Sequence, residues 1–429
     1  MSNKKEINFQ YGKDNISIKI PEKSIIAMPH IKHLDKLNNE LASLTKSLHR
    51  PISSLPLSEI ARWKKNAVVV ISDRTRPMPT DRVLPLILNE INQGGIKDEK
   101  IKIIIALGTH RPMTNDEIIK MVGGYVKNRV EVKNHDWNNK EILIPLGRTA
   151  NGIYIDVNKE VYNADLVVGV SCVKPHRAAG WSGGSKIIDP GVCGERTVCG
   201  THYLTVDYKI EEVMGCLDNP FRKESEEIAR EVGLNFSINL VLNEDDEIVN
   251  IFSGDFIEAH KMAAKFAETI FRDPQTEKAD FMICGSGEWG PDFWSAVQAI
   301  FSAEYLVKNG GTIVFFARCP EGFAPEHPQL SEIGYRPISE IFKMVKEKKI
   351  TDLAAAGHSV AVSRIIVEKD IECIIISEGI SKEIADYLGL RWMKYSQEAV
   401  DYIFKKHSSS ARGYLFSGKS VTDTVVIPW

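Results

Sequence analysis

Ala67-Val-Val-Val-Ile-Ser-Asp-Arg-Thr-Arg-Pro77 opens with an apolar run lacking the polar–apolar alternation of a half-exposed strand. Such a run reads as a strand buried on both faces, as in a parallel sheet covered by helices. It breaks abruptly into charge, and Asp81 to Gln93 then follows with helical spacing and stops at Gly94-Gly95. The same sequence of elements recurs. Ile101 to Leu107 is the next strand, Asn115 to Met121 the next helix, and Leu166-Val-Val-Gly-Val-Ser171 another buried strand. A second series begins near residue 279, with the strand Phe281–Cys284, a helix from Phe293 to Val307, and the strands Thr312–Phe316 and Cys373–Ser377. Strands alternating with helices predict an α/β architecture of two domains, each with a mostly parallel sheet flanked by helices.

The polar, proline-bearing Phe271-Arg-Asp-Pro-Gln-Thr-Glu-Lys278 reads as the linker. The expected division is therefore 1–272 and 273–407, with 408–429 and its strand-like end, Val425-Val-Ile-Pro-Trp429, returning to complete the first domain. Before the first buried strand, Ile7, Phe9 and Tyr11, then Ile16, Ile18 and Ile20, alternate around Gly12-Lys13-Asp14-Asn15, which is a hairpin signal.

A chain of 429 residues exceeds one compact core, in keeping with two domains. Lys plus Arg number 54 against 57 Asp plus Glu, a net charge of −3, so nothing global favours nucleic acid or an anionic membrane. No apolar stretch approaches the ~20 residues of a membrane span, and the polar start lacks a secretory signal. The seven cysteines form no CxxC pair and are odd in number, as expected of reduced thiols in a cytoplasmic enzyme.

Open α/β sheets bind ligands at the carboxyl ends of their strands. Three segments sit there: Ser72-Asp-Arg-Thr-Arg-Pro77, Gly108-Thr-His-Arg111, and Cys172-Val-Lys-Pro-His-Arg177 running into Gly180-Trp-Ser-Gly-Gly-Ser-Lys186. Arg74 and Arg76 suit a carboxylate or phosphate through their planar forks, and an inter-element salt bridge explains either one equally well. Asp73 fits a turn or cap residue as well as a ligand-orienting one. His110 and His176 follow strands whose ends should meet, which argues against two unrelated structural histidines. Three imidazoles, with His202, invite a zinc reading, but no short His spacing supports it. The glycine loop before Lys186 is not a Walker motif, because Ser185 precedes the lysine and Ile187 follows it. Its glycines imply a tight turn or close backbone approach. Gly285-Ser-Gly-Glu-Trp-Gly290 matches GxGxxG literally, but Pro291-Asp292 delays the helix and no acid ends the next strand.

Taken in order, Asp73-Arg-Thr-Arg-Pro77, Gly108-Thr-His110, Pro175-His176, Ser182-Gly-Gly-Ser-Lys186-Ile-Ile-x-Pro-Gly191 and His202 resemble the nickel-dependent lactate racemase family, with the match running through residues 60 to 210. The resemblance implies nickel held in a nickel-pincer nucleotide, a pyridinium-3,5-bisthiocarboxylic acid mononucleotide attached to Lys186, and an active site in the interdomain cleft. It implies His202 as the protein's nickel ligand, Asp73, Arg74, Thr75 and Arg76 as cofactor contacts, and His110 and His176 as paired acid/bases. It further implies that C2 of a 2-hydroxy acid is inverted by reversible hydride transfer, and that cofactor-synthesis proteins are partners.

In the second domain the chain departs from the family. The family's Tyr-Gln-x-x-Lys stands here as Trp294-Ser-Ala-Val-Gln298, so Gln298 replaces a lysine that meets the substrate carboxylate. A family tryptophan aligns with Ala354. A roomier pocket lined by Arg76, Trp294, Ser295 and Gln298 suits a larger hydroxylated acid, such as an aldonic (sugar) acid. The alternatives are racemisation of lactate, malate or another small 2-hydroxy acid, an NAD(P)-dependent hydroxy acid dehydrogenase using Gly285, Gly287 and Gly290, and a non-catalytic nickel or nucleotide carrier.

Overall fold

The computed structural model describes residues 3–76, 78–287, 290–417 and 426. Pro77, Glu288 and Trp289 of the motifs above, and all of the Val425–Trp429 tail except Val426, lie outside the described residues. The chain forms two compact units. One comprises residues 33–205 and 213–270; the other comprises residues up to 32, 206–212, and those from 271 onward.

In the first unit a six-stranded sheet is built from β1 (Ala67–Ser72), β2 (Ile101–Ala106), β3 (Glu131–Asn134), β4 (Leu166–Cys172), β5 (Leu234–Leu242) and β6 (Ile248–Gly254). Their spatial order is β6-β5-β4-β1-β2-β3, with every neighbouring pair parallel except β5 with β6. The valine run of β1 is buried throughout, as its unbroken hydrophobicity predicts. Val69 and Ile71 join Ile103, Ile105, Val168 and Val170 in a core on one face, while Val68 and Val70 join Ile104 and Val167 on the other. Fully burying each such side chain contributes roughly 1.5–3 kcal/mol. The helix α1 (Thr80–Gln93) covers the first face through Val83, Leu84, Ile87, Leu88 and Ile91.

The next helix, α2 (Asn115–Arg129), runs eight residues beyond the expected Met121. Gly123, at φ 79°, kinks it without ending it. It starts from a capping box in which Thr114 Oγ1 accepts from Glu117 N and the Glu117 carboxylate accepts from Thr114 N. His202, Arg222 and His260 are carried by three further helices, α3 (Glu195–Tyr203), α4 (Pro220–Val232) and α5 (Glu258–Phe271) respectively.

The second unit has an all-parallel sheet from β7 (Ala279–Gly285), β8 (Val307–Phe316), β9 (Glu372–Ile376), β10 (Arg391–Trp392) and β11 (Gly413–Phe416), completed by the short strand Ile25–Ala27. The predicted hairpin forms between Lys4–Tyr11 and Asp14–Pro21. Its Ile7, Phe9, Ile18 and Ile20 pack into this unit's core with Phe281, Phe316 and Leu415.

The division thus differs from 1–272, 273–407 and 408–429: the N-terminal segment up to residue 32, residues 206–212 and the Gly413–Phe416 strand all belong to the second unit. There β11 docks beside β7 and accepts Ile25–Ala27 on its other edge, while the hairpin packs on this unit's core. The expected single helix from Phe293 to Val307 is also broken, into Phe293–Ala296, a 3-10 turn Val297–Ile300, and Ala303–Leu306.

Gly169 in β4 is where the first sheet receives the loop that follows it. A Cβ there would stand 2.7 Å from Ile187 Cγ2. Gly169→Ala should lower stability by about 1–3 kcal/mol, the usual effect of overpacking, read as a fall in Tm with retained far-UV circular dichroism.

Candidate active site

The candidate residues of the first half all fall within the first unit. Asp73 follows β1, where the strand ends and the backbone turns, with Arg76 N donating to Asp73 O at 3.1 Å. Its carboxylate is organised on both oxygens. Oδ1 accepts from Thr75 Oγ1 at 2.7 Å and from Thr75 N at 3.1 Å, and Oδ2 meets His110 Nδ1 at 2.7 Å. Burial opposes the carboxylate charge, but the imidazole of His110, the Thr75 hydroxyl and Arg76 more than offset it and hold Asp73 below the ordinary value. A carboxylate bound to Nδ1 fixes the ring with its proton there and leaves the Nε2 lone pair outward.

His176 has the opposite arrangement. It lies on the two-residue strand Pro175–His176, paired with Gly180–Trp181, and its Nδ1 accepts from the backbone N–H groups of Ala178 and Ala179, each at 3.2 Å. Burial, with the positive charges of Lys186 and Arg76 next in weight, pushes its pKa well below 6.5. His202, near the end of α3, directs Nδ1 to the Val198 carbonyl at 2.9 Å. A proton on Nδ1 donates there and fixes the orientation of the ring. The rings of His176 and His202 stand edge to face with centroids 6.5 Å apart.

Phe221, in the first turn of α4, joins the remaining groups. Its ring lies 5.1 Å from the His202 ring and 6.0 Å from Lys186 Nζ. Burial, then the facing guanidinium groups of Arg76 and Arg222, lower the Lys186 pKa to about 7. Asp189, fully buried three residues on, is raised to about 7 by burial, and its Oδ1 accepts from Thr201 Oγ1. The loop carrying Lys186 is held from several sides. Arg222 Nη1 donates to Gly183 O and Ser185 Oγ, and Nη2 to the carbonyls of Ala179 and Trp181. Gly184 N donates to Asn239 Oδ1, and His260 Nε2 donates to Ser182 O. Gly184, at φ 59°, lies so close to His260 that a Cβ would meet its Cγ at 2.6 Å. The loop's close approach is therefore to the protein's own side chains.

Arg74 is the one candidate the structure takes toward the salt-bridge reading, with Nε 3.8 Å from Glu117 Oε1, a carboxylate that Arg111 also grips with both Nη atoms. The positive charge of Arg76 acts on both Lys186 and His176, lowering the pKa of each. Trp294, Ser295 and Gln298 belong to the second unit. There the Trp294 ring stacks on those of His327 and His358, with centroids at 3.9 and 4.3 Å. Asp352 caps the helix Leu353–Ser363, which includes Ala354, and meets His327 Nδ1 at 2.8 Å. Of the GxGxxG segment, Gly287 O accepts from Gly12 N, and a Cβ on Gly285 would meet Gln10 O at 3.2 Å. These glycines thus admit the backbone of the N-terminal hairpin.

Sequence reasoning missed Phe221, Arg222, Asp189 and His260. The pair Asn219-Pro220 does mark a helix start, since Asn219 Oδ1 accepts from Arg222 N and proline occupies the first turn. Which loop that turn would meet is not written locally. Among the described residues, no trio of His, Cys, Asp or Glu is gathered closely enough to hold a metal by itself, and no helix is long and apolar enough to cross a membrane.

The lactate racemase N-terminal domain family matches residues 11–213, a span that contains every first-unit candidate. The chain is 30% identical over 325 residues to the lactate racemase of Thermoanaerobacterium thermosaccharolyticum, covering 75% of this chain and 76% of that protein. It is 26% identical over 415 residues to the lactate racemase of Lactiplantibacillus plantarum, covering 95% and 96%. The solved lactate racemase apoprotein of T. thermosaccharolyticum superposes with a TM-score of 0.87 at 25% identity, over 99% of this chain and 100% of that one. Fold and relatives together define an isomerase of the racemase class. Within that class, the chain belongs to the lactate racemase family.

A lysine with a pKa near 7 is a neutral nucleophile where ordinary lysines are charged. In the apoprotein, acylation of Lys186 by a small amine-reactive ester, mapped by peptide mass spectrometry, should rise with pH to a midpoint near 7. The exposed lysines should label only toward their usual ~10.4.

Proposed function

We propose that the protein inverts C2 of a 2-hydroxy acid, as a racemase or C2 epimerase, with a nickel-pincer nucleotide attached to Lys186. The observation that carries this reading is the convergence, in one unit, of Asp73-bound His110, His176, His202 and an amine of depressed basicity. The residues fit the cofactor. Lys186 is uncharged for a large part of the time near neutrality and so is suited to forming a thioamide. His202, its ring oriented through Nδ1 by the Val198 carbonyl, would be the protein's ligand to the metal, and a single imidazole agrees with a metal held mainly by its own organic ligand. When bound, the cofactor supplies an acceptor for the C2 hydrogen together with its electron pair.

The chain's own residues supply the rest. His110, oriented through Nδ1 by Asp73, presents Nε2 to the substrate hydroxyl as a base. Taking that proton turns the ring into an imidazolium beside a buried carboxylate, which stabilises it. Arg76 gives a fixed positive charge for the substrate carboxylate or the cofactor, and Thr75 holds Asp73 in register. Arg74, engaged by Glu117, acts at the edge of the cofactor contact. Withdrawing the C2 hydrogen as hydride avoids the carbanion that a weakly acidic C–H would otherwise require.

For the substrate we propose a larger hydroxylated acid of the aldonic class, with Trp294, Ser295 and Gln298 as its contacts. A neutral amide at 298 exchanges hydrogen bonds with hydroxyls, whereas a lysine would seek a carboxylate. The protein made in a cofactor-producing host should carry one nickel and a mass increment on Lys186. It should interconvert C2 epimers of an aldonic acid at least tenfold faster, in kcat/KM, than it racemises lactate, measured by chiral chromatography without reduction of added NAD. A preference for lactate overturns the substrate assignment, and an unmodified Lys186 overturns the cofactor assignment.

A further inference from the structure

The second unit holds a cavity of about 530 Å³ that is lined by none of the candidate residues described above. A volume of this order is that of a small-molecule site. Its wall is drawn from separate stretches of chain: Lys209 and Glu211 in the 206–212 segment, Lys278 just before β7, Glu304 just before β8, and Arg364, Glu368 and Lys369 after the helix Leu353–Ser363. The turn Arg364–Glu368 is π-helical, a departure from α geometry that recurs at functional sites.

Four cations line the cavity, and three of them are tied to carbonyl oxygens. Lys369 Nζ donates to Glu304 O at 2.8 Å and Val307 O at 2.6 Å, Arg364 Nη2 donates to Val206 O at 2.7 Å, and Lys278 Nζ donates to Tyr305 O. A carbonyl orients a cation without neutralising it. The charges therefore act on one another. Burial first, then Lys278, lowers the pKa of Lys369; Lys209 adds to this, and Glu304 and Glu211 oppose it. Two shielded atoms on the wall also lack a partner, the donor Arg364 Nε and the acceptor Glu211 Oε2.

We propose that this cavity binds a phosphate ester of a hydroxylated small molecule, of the sugar phosphate class. The four cations face three carboxylates, those of Glu211, Glu304 and Glu368, so the wall as a whole favours an anion. A phosphate group fits that surplus, because it brings a compact negative charge with three acceptor oxygens, and lysine binds it as a point charge. Arg364 Nε adds a donor of fixed direction. The carboxylates repel a bare phosphate and so select for what is attached to it. Hydroxyl groups donate to carboxylate oxygens such as Glu211 Oε2, and the volume accommodates a body larger than phosphate alone.

The 206–212 segment leaves the first unit after Thr205 and returns to it at Val213, and Arg364 reaches it at Val206. A ligand held by Lys209 and Arg364 orders this segment, which gives the test a local readout. Hydrogen exchange followed by mass spectrometry, with glucose 6-phosphate as the probe, should show slowed exchange in peptides covering 206–212 and 364–369. Inorganic phosphate should protect the same peptides more weakly, and glucose not at all. Lys209→Gln and Lys278→Gln, both at exposed positions, should each weaken the apparent affinity about tenfold. Arg76→Ala, which removes an anion contact of the first unit, should leave it unchanged.

Absence of protection in these peptides at glucose 6-phosphate concentrations up to about 10 mM, weaker than millimolar binding, overturns the site. Equal protection by glucose overturns the requirement for an anion, and equal protection by inorganic phosphate overturns the hydroxylated body. Protection that is confined to peptides of the first unit, or lost in Arg76→Ala, assigns the phosphate to the candidate active site and overturns the proposal as well. Should a lysine variant fail to fold, the ligand series on the wild-type protein decides without it.

Discussion

The site depends on one buried cation. The Arg222 guanidinium grips the chain between Ala179 and Ser185 through three carbonyls and a hydroxyl, and Arg222 is itself fixed in the first turn of a helix capped by Asn219. Burial lowers its pKa to about 10, still well above neutrality, so the charge persists where water cannot screen it. Carbonyl oxygens satisfy it in directions that determine the path of the loop. Its neighbour Phe221, on the same helical turn, places its ring within reach of both Lys186 and His202. One helix end thereby fixes a lysine and a histidine that lie 16 positions apart in the chain.

The parts of the fold legible in the sequence are those written in its periodicity. The Val- and Ile-rich strands at 67–71, 101–105 and 166–170, in which Lys102 is the one polar residue, were legible because a parallel sheet covered on both faces leaves few polar positions. The hairpin was legible because one face is buried and the other wet. The assignment of the two chain ends was not. Gly413–Phe416 is a short strand that pairs with β7, and Ile25–Ala27 pairs in turn with Gly413–Phe416, each across more than a hundred residues of chain. The linker at 271–278 marks where a unit ends, but carries no information on which terminal segments return to it.

The site divides along the same line. His110, His176, Lys186 and the Asp73 turn could be singled out because each lies just beyond a recognisable buried strand. Their partners could not, since Arg222, Asn239 and His260 act on the loop from distant elements. Glycines were the most misleading signal. Gly184 and Gly285 both look like ligand cradles in sequence, and in the fold they admit an imidazole and a hairpin backbone respectively. Close approach was the right inference from a missing Cβ, but the sequence does not say what approaches.

The electrostatics of the pocket explain why a covalently held cofactor suits it. Lys186, Arg76 and Arg222 face one another, with Asp73 engaged by His110 and Asp189 itself raised to about 7 by burial. Such a set is short of negative charge, and it responds in the apoprotein by favouring loss of the proton from Lys186, the one cation of the three that can readily give it up. Acylation of that amine, as in the proposed thioamide, makes the neutral state permanent and removes the repulsion with the two guanidinium groups. The phosphate of a mononucleotide and the sulfur donors of a pincer would then bring the missing negative charge to the arginines that remain. The His176 ring, pushed well below 6.5 chiefly by burial and accepting from two backbone amides at Nδ1, adds no further positive charge to this balance.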